Sequence, residues 1–427
     1  MSSPAADGPF AGYRVLELGQ YVAVPYAAEL FADGGADVIK VEPIAGDATR
    51  SNSEIVPGEG RQYIIKNRGK RGIPIDLGKP EGKQLARRIA LSCDVVLSNM
   101  RPGLVERLGL DYETLSKEKP GIIFGEISGF GTKGPLGGKP AMDVVVQAAS
   151  GLMISGGAMR DGRPIATENF LTDYTAGVLL AFGVAGALLT RERTEHGQKV
   201  STSLFQAALT LQHGNGNVID AVDGWKREFV DWLATEQPTA DEAAARRRDA
   251  LASDRWFWNT YQTSDGVVTI AASRGLQKKL GEILGIDDPS INDASWVQPD
   301  DPRPHIAQLT RKARVAAVRW KADALVEALG AAGIPCSRVA FPEEALLGEH
   351  AAANRFVETF DHPAVGPITL PSAPLSFSES HFETAETSAA YGEHSVEVLR
   401  DLGLDQAAID ALIRDKVVGD VSTSPWR

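Results

Sequence analysis

The alternation of strand and helix along the first third of the chain constrains its fold most. Tyr13-Arg14-Val15-Leu16-Glu17-Leu18 is a short apolar-rich strand ending at Gly19, and Tyr26 to Ala32 has helical spacing. Ala36-Asp37-Val38-Ile39-Lys40-Val41-Glu42 is a second strand, and Pro80 to Leu91 is an amphipathic helix with Leu85, Ala86 and Ile89 facing inward. Asp94 to Ser98 and Gly121 to Ile127 are further strands. Strands separated by helices at this spacing predict an α/β unit, a parallel sheet with helices on its faces. Ligands of such sheets bind beyond the carboxyl ends of the strands.

The pattern breaks after Gln212. His213-Gly214-Asn215-Gly216-Asn217 is turn-rich, Thr235 to Arg248 is polar, and Trp256 to Ala272 is β-rich with a hairpin-like Thr263 to Val268. Asp287 to Pro304 reads as an exposed loop, Ile306 to Leu329 as helix, and Gly333 to Cys336 as the way out. Pro363 to Phe377 is extended, while His394 to Leu402 and Gln406 to Arg414 are helical. We therefore divide the 427 residues into a large domain (1–212), a linker with a smaller α+β domain (213–332), and a return segment completing the large domain (333–427).

Composition narrows the partners. The net charge of −12 argues against nucleic acid or an anionic membrane. Cys93 and Cys336 are the only cysteines, so there is no disulfide framework, and seven scattered histidines support no metal site. Met1 to Pro9 lacks the basic and apolar regions of a signal peptide, so a cytoplasmic protein is expected. Gly129-Phe130-Gly131-Thr132-Lys133-Gly134 mimics a dinucleotide loop, but Pro135, Gly137, Gly138 and Pro140 forbid the helix that such a loop must start. A nicotinamide or flavin site is not expected.

Two features carry chemistry. Lys66-Asn67-Arg68-Gly69-Lys70-Arg71 is by default a solvated basic turn, whereas Arg101 and Arg107, beyond the Val95–Ser98 strand, suit a phosphorylated ligand. Thr172-Asp173-Tyr174-Thr175-Ala176 places one carboxylate before the apolar run Gly177 to Leu189, too short and glycine-spotted to span a membrane. At the first turn of a buried helix Asp173 is either an ordinary cap or a nucleophile held as an anion by the helix dipole.

Taken together, these segments resemble the family III CoA-transferases, the group that includes formyl-CoA transferase and carnitine CoA-transferase. The resemblance is carried by Leu30 to Glu42 with Gly46-Asp47-Ala48-Thr49-Arg50, by Asn67 to Arg71, and by Asn99-Met100-Arg101-Pro102-Gly103. It continues in Ser128 to Pro135, Asp143 to Gly151, Thr172 to Gly177 and Gly197 to Val200, and closes with Gly392-Glu393-His394 and Leu402-Gly403-Leu404.

The resemblance implies a Rossmann-like large domain, a smaller domain and an interlocked homodimer, with acyl-CoA and a small carboxylic acid as substrates and no tightly bound cofactor. It makes Asp173 the catalytic nucleophile. The carboxylate attacks the thioester to give an aspartyl mixed anhydride, the thiolate returns to form an enzyme–CoA thioester, and the acceptor acid takes the CoA. A thiol of pKa about 8.5 leaves readily, so the transfer needs no metal, only positioning and exclusion of water. The helix N-terminus would keep Asp173 ionised and offer amides to an oxyanion.

By the same resemblance Gln20, Val22 and Ala23 line the CoA channel, Asn99, Met100 and Arg107 meet the nucleotide end, and Lys139 lies near the adenine. Arg71 and Arg101 join this binding set as basic neighbours. Ala271 to Gly275, with one glycine, replaces the glycine run that lids formyl-CoA transferase. The racemases of α-methylacyl-CoA share the fold and the aspartate, but where they carry a histidine this chain has Met142, which moves no proton. A non-catalytic CoA-binding protein is the other alternative.

Overall fold

A computed structural model of the chain describes residues 7–156, 158–212, 216–251, 255–384 and 387–426. The turn-rich His213-Gly214-Asn215 lies outside the described residues, as do the first six positions of the N-terminal segment. The chain divides into two compact units: Val218–Ala351, and everything before and after it.

The first unit is built on six parallel strands. In chain order they are β1 (Arg14–Leu18), β2 (Asp37–Glu42), β3 (Lys70–Pro74), β4 (Val95–Ser98), β5 (Ile123–Ser128) and β6 (Lys199–Ser203). Their order across the sheet is β6-β5-β4-β1-β2-β3, so the winding reverses between β1 and β4. Successive side chains feed opposite cores, as the pleat requires. Leu16, Leu18, Val96 and Phe124 point to one face, where helix α2 (Pro80–Ser92) and the C-terminal helices Ser395–Asp401 and Gln406–Arg414 cover them. Val15, Val95, Leu97 and Ile123 point to the other, under α1 (Ala23–Asp33), the 24-residue α3 (Leu171–Thr194) and Leu204–Leu211. The four strands and α2 expected from the sequence are present. Expected inward, Leu85, Ala86 and Ile89 of α2 are buried.

Helix α3 is longer than the apolar run Gly177 to Leu189, and by length and composition alone it is long and apolar enough to cross a membrane, contrary to the sequence expectation. Its Ala176, Leu180, Val184 and Leu188 nevertheless form a buried stripe at helical spacing. It runs against the sheet with Leu180 and Val184 over Gly125, where a side chain on β5 would meet both. Val178, Phe182 and Leu189 on its opposite side are exposed in the single chain, so it is not buried all round.

The C-terminal segment, back in the first unit from Ala352, is stitched to the N-terminal part through main-chain groups. Asp76 N donates to Val417 O at 2.9 Å, Gly419 N to Pro74 O at 3.0 Å, and Arg50 Nη2 to Ala389 O at 3.0 Å. The Tyr391 hydroxyl donates to Ile44 O at 2.7 Å.

The second unit has a three-stranded antiparallel sheet, Trp258–Gln262, Val267–Ala271 and Cys336–Arg338, packed on helices that include Arg303–Ala317 and Ala322–Ala331. Because Cys336–Arg338 is hydrogen-bonded into this sheet, the unit runs past residue 333, where the sequence placed the return, to Ala351.

Candidate active site

The reversal between β1 and β4 makes their carboxyl edge a topological switch point, the place where parallel sheets bind ligands in a crevice. The loops leaving these two strands are tied together by one side chain. Asn99 accepts from Gln20 N at 3.1 Å through its Oδ1 and donates to Gln20 O at 2.8 Å through its Nδ2. Beneath the loop, buried Lys40 bonds Gly19 O at 2.9 Å and Glu17 at 2.7 Å. A β-carbon at Gly19 would fall 2.4 Å from Val24, so only glycine lets the chain turn this tightly into α1. Val22 and Ala23 are buried behind the loop, leaving Gln20 half-exposed and Tyr21 exposed at the crevice.

Asp173 lies in the first turn of α3, which Gly177, one turn on, seats against α1. A β-carbon at Gly177 would stand only 2.7 Å from Ala23 O. Next to Asp173, the Tyr174 ring meets Tyr26 of α1 edge-on at 4.7 Å. This close approach sets the first turns of α3 against α1, the helix that follows the Gln20 loop.

Asp173 does not cap its helix. The cap comes from Asp143, in the first turn of the helix Asp143–Ala149, whose Oδ2 accepts from Thr172 N at 2.8 Å, from Thr172 Oγ1 at 2.6 Å and from Asp173 N at 3.3 Å. Asp143 is itself bonded by Gln147. The expected role of these amides as oxyanion donors is therefore corrected, since Asp143 already occupies them. Burial and the Asp143 charge push the Asp173 carboxyl up to about 7, with Lys66 opposing them. Among the described residues the half-buried Asp173 carboxylate forms no hydrogen bond, which leaves its oxygens uncommitted.

The basic cluster is not a solvated turn. Lys66, Asn67, Arg68 and Lys70 are buried. Arg68 pairs with Glu29 and Asp33, both at 2.8 Å, and Lys70 with Glu17 at 2.8 Å. Arg71, the second residue of β3, lies at the amino edge of the sheet, opposite the switch-point edge. Asp37, Glu397 and Asp401 occupy its guanidinium. The expected grouping of Arg71 with the CoA-binding residues is not what the structure places together.

Arg101 and Arg107 are exposed just beyond β4, and Lys139 is exposed on the loop between β5 and Asp143. Among the described residues these three make no ion pair, so their charges face solvent. Met100 is half-buried, its amide held by Ser98 Oγ at 3.1 Å. The Gly129–Gly134 loop leads to no helix before Asp143. Sequence reasoning gave no site role to Lys66, Asp143 or Gly177. Gly177 lies four residues after Asp173 and so shares its helix face, the only signal that tied the two together in the sequence.

The model of CoA-transferase family III matches residues 10–395. The (R)-2-hydroxy-4-methylpentanoate CoA-transferase of Clostridioides difficile is 28% identical over 95% of this chain and 98% of that protein. A formyl-CoA:oxalate CoA-transferase of Streptomyces avermitilis is 29% identical over 95% and 98%. The crystal structure of Rv3272 from Mycobacterium tuberculosis superposes with a TM-score of 0.74 at 27% identity, covering 92% of this chain and 99% of that one. With the match spanning both units, this chain belongs to CoA-transferase family III, and it is an enzyme of that family.

Proposed function

We propose that the protein moves CoA from an acyl-CoA donor to a small carboxylic acid with Asp173 as the nucleophile. The observation that carries this reading is the uncommitted, half-buried Asp173 carboxylate, set against the loop at the sheet's switch point while another residue does the capping.

In its ionised form Asp173 attacks the thioester carbon. The C–S bond breaks, and CoA leaves as thiolate from the aspartyl–acyl anhydride. The thiolate then attacks Cγ of Asp173 and expels the donor acid, leaving an enzyme–CoA thioester. The acceptor carboxylate attacks that thioester, releasing thiolate and forming a new anhydride. Attack of the thiolate on the acceptor's acyl carbon yields the new acyl-CoA and frees Asp173. The Rossmann-like crevice holds the CoA, with Gln20 and Asn99 shaping its wall and Arg101, Arg107 and Lys139 facing its phosphates. The substrates for which the relatives are named, a hydroxy acid and oxalate among them, support a carboxylate acceptor.

Mass spectrometry after incubation with acyl-CoA and hydroxylamine tests the mechanism. A hydroxamate on the peptide containing Asp173, absent from Asp173→Ala, is expected. Full transfer activity in a folded Asp173→Ala protein would sink the reading. We also propose a homodimer that covers the exposed Val178, Phe182 and Leu189 stripe of α3. A monomeric mass by light scattering at micromolar concentration counts against it.

A further inference from the structure

Of the groups around Asp173, Lys66 is the one the mechanism leaves unused. It lies just before β3, with 1% of its surface exposed, at the base of the site. Its backbone carbonyl accepts from Lys70 Nζ at 2.8 Å, and its own Nζ donates to Gln62. The ammonium sits 5.6 Å from the centre of the Phe170 ring, a separation at which cation and ring attract. Phe170 is the residue from which α3 starts, and its φ of 47° is a left-handed conformation rarely adopted by a bulky side chain. The strained turn therefore holds the aromatic face toward Lys66 and the helix start beside it.

We infer that Lys66 is a positioning residue that holds the Asp173 nucleophile in its ionised form, the cation against which the anionic influence of Asp143 is balanced. The inference rests on Asp173 being the nucleophile. The remaining charged groups facing the pair are known. Asp143 approaches Asp173 from the helix Asp143–Ala149, and Glu29 reaches Lys66 from α1 while pairing with Arg68. Lys70 faces Lys66 from β3, and Tyr26 and Tyr174 close the cluster.

The titration directions agree with this geometry. Burial lowers Lys66 to about 8, with Glu29 and Asp173 holding it up, while Asp173 rises to about 7. Between these values the pair carries one proton fewer than two, on the lysine, and the carboxylate is free to attack. Above the upper value the lysine loses its charge, and below the lower one the nucleophile is protonated. The two apparent values belong to the coupled pair.

The test is the pH dependence of kcat/KM for CoA transfer in wild type, Lys66→Met, Lys66→Arg and Asp173→Ala, each checked for fold by circular dichroism. Removing the cation raises the nucleophile's titration, so Lys66→Met should move the acid limb up by about one unit or more, an about tenfold loss at pH 6 that fades at high pH. Arginine keeps its charge throughout, so Lys66→Arg should retain the acid limb and lose the alkaline one, a result readable even where the methionine variant does not fold. An acid limb unmoved in folded Lys66→Met, or an alkaline limb retained in Lys66→Arg, overturns the proposal while an inert Asp173→Ala leaves the nucleophile standing. Activity in Asp173→Ala overturns both.

Discussion

Replacing Gly177 with alanine should separate the catalytic helix from the CoA loop. The new methyl would lie 2.7 Å from Ala23 O and 3.3 Å from a ring carbon of Tyr26, and the first neighbour is main chain that cannot rotate away. Reaching ordinary van der Waals contact requires α3 and α1 to part by several tenths of an ångström. Overpacking of this kind costs about 1–3 kcal/mol. Alanine's better helix propensity returns about 0.5–1 kcal/mol, so the net destabilisation should be about 0–2.5 kcal/mol. Activity should suffer more, because the shift is hinged one turn from Asp173, and misplacement of a reacting group by about 1 Å costs about a hundredfold. Gly330, on the helix Ala322–Ala331 of the second unit, supplies the control, since a β-carbon there meets nothing within 4 Å. Gly330→Ala should stabilise by about 0.5–1 kcal/mol and leave kcat intact. Denaturant unfolding and steady-state transfer on both variants decide the matter. A Gly177→Ala protein as stable and active as Gly330→Ala would refute the claim that close approach at Ala23 places the nucleophile.

Two further outcomes are expected. The Asp173 carboxyl is raised in the folded state, so ionising it costs stability as pH climbs from its ordinary value through about 7. Asp173→Asn should therefore gain stability that is absent below about pH 4, grows to about pH 7 and is flat above; a gain independent of pH in thermal melts would contradict this. For CoA binding by calorimetry, Asn99→Ala should weaken affinity by about tenfold through loss of both bonds to Gln20, whereas Arg71→Ala should leave it within twofold. Equal losses would mean that the two sheet edges have been misjudged.

The sheet was legible where apolar residues cluster, as in Val15-Leu16, Val38-Ile39 and Val95-Val96-Leu97. It was illegible at its edges. Lys70–Pro74 opens with two charges, and Lys199–Ser203 is a polar edge strand, so neither shows the pattern that marks a strand. The basic cluster was misread for a related reason. Its neutralising acids, Glu17, Glu29 and Asp33, come from β1 and α1, far back in the sequence, and a run of charges looks solvated until its partners are placed. Asp173 stood out because an acid before a long apolar run is conspicuous. The upward push on its carboxyl was not legible, because the capping carboxylate, Asp143, lies 30 residues away in the sequence and takes the Thr172 and Asp173 amides.

The stitching of the C-terminal segment to the first unit bears on how the molecule is made. The ribosome delivers residues 1–217 first, yet the buried Arg50 guanidinium takes one of its acceptors from Ala389, and Pro74 and Asp76 take main-chain partners from Gly419 and Val417. Until those late residues emerge, the nascent sheet carries unpaired polar groups at β3 and Asp76 and an apolar face without its last two helices. The first domain to begin folding is thus the last to finish, and the intervening unit can close as a self-contained body while the unfinished sheet waits.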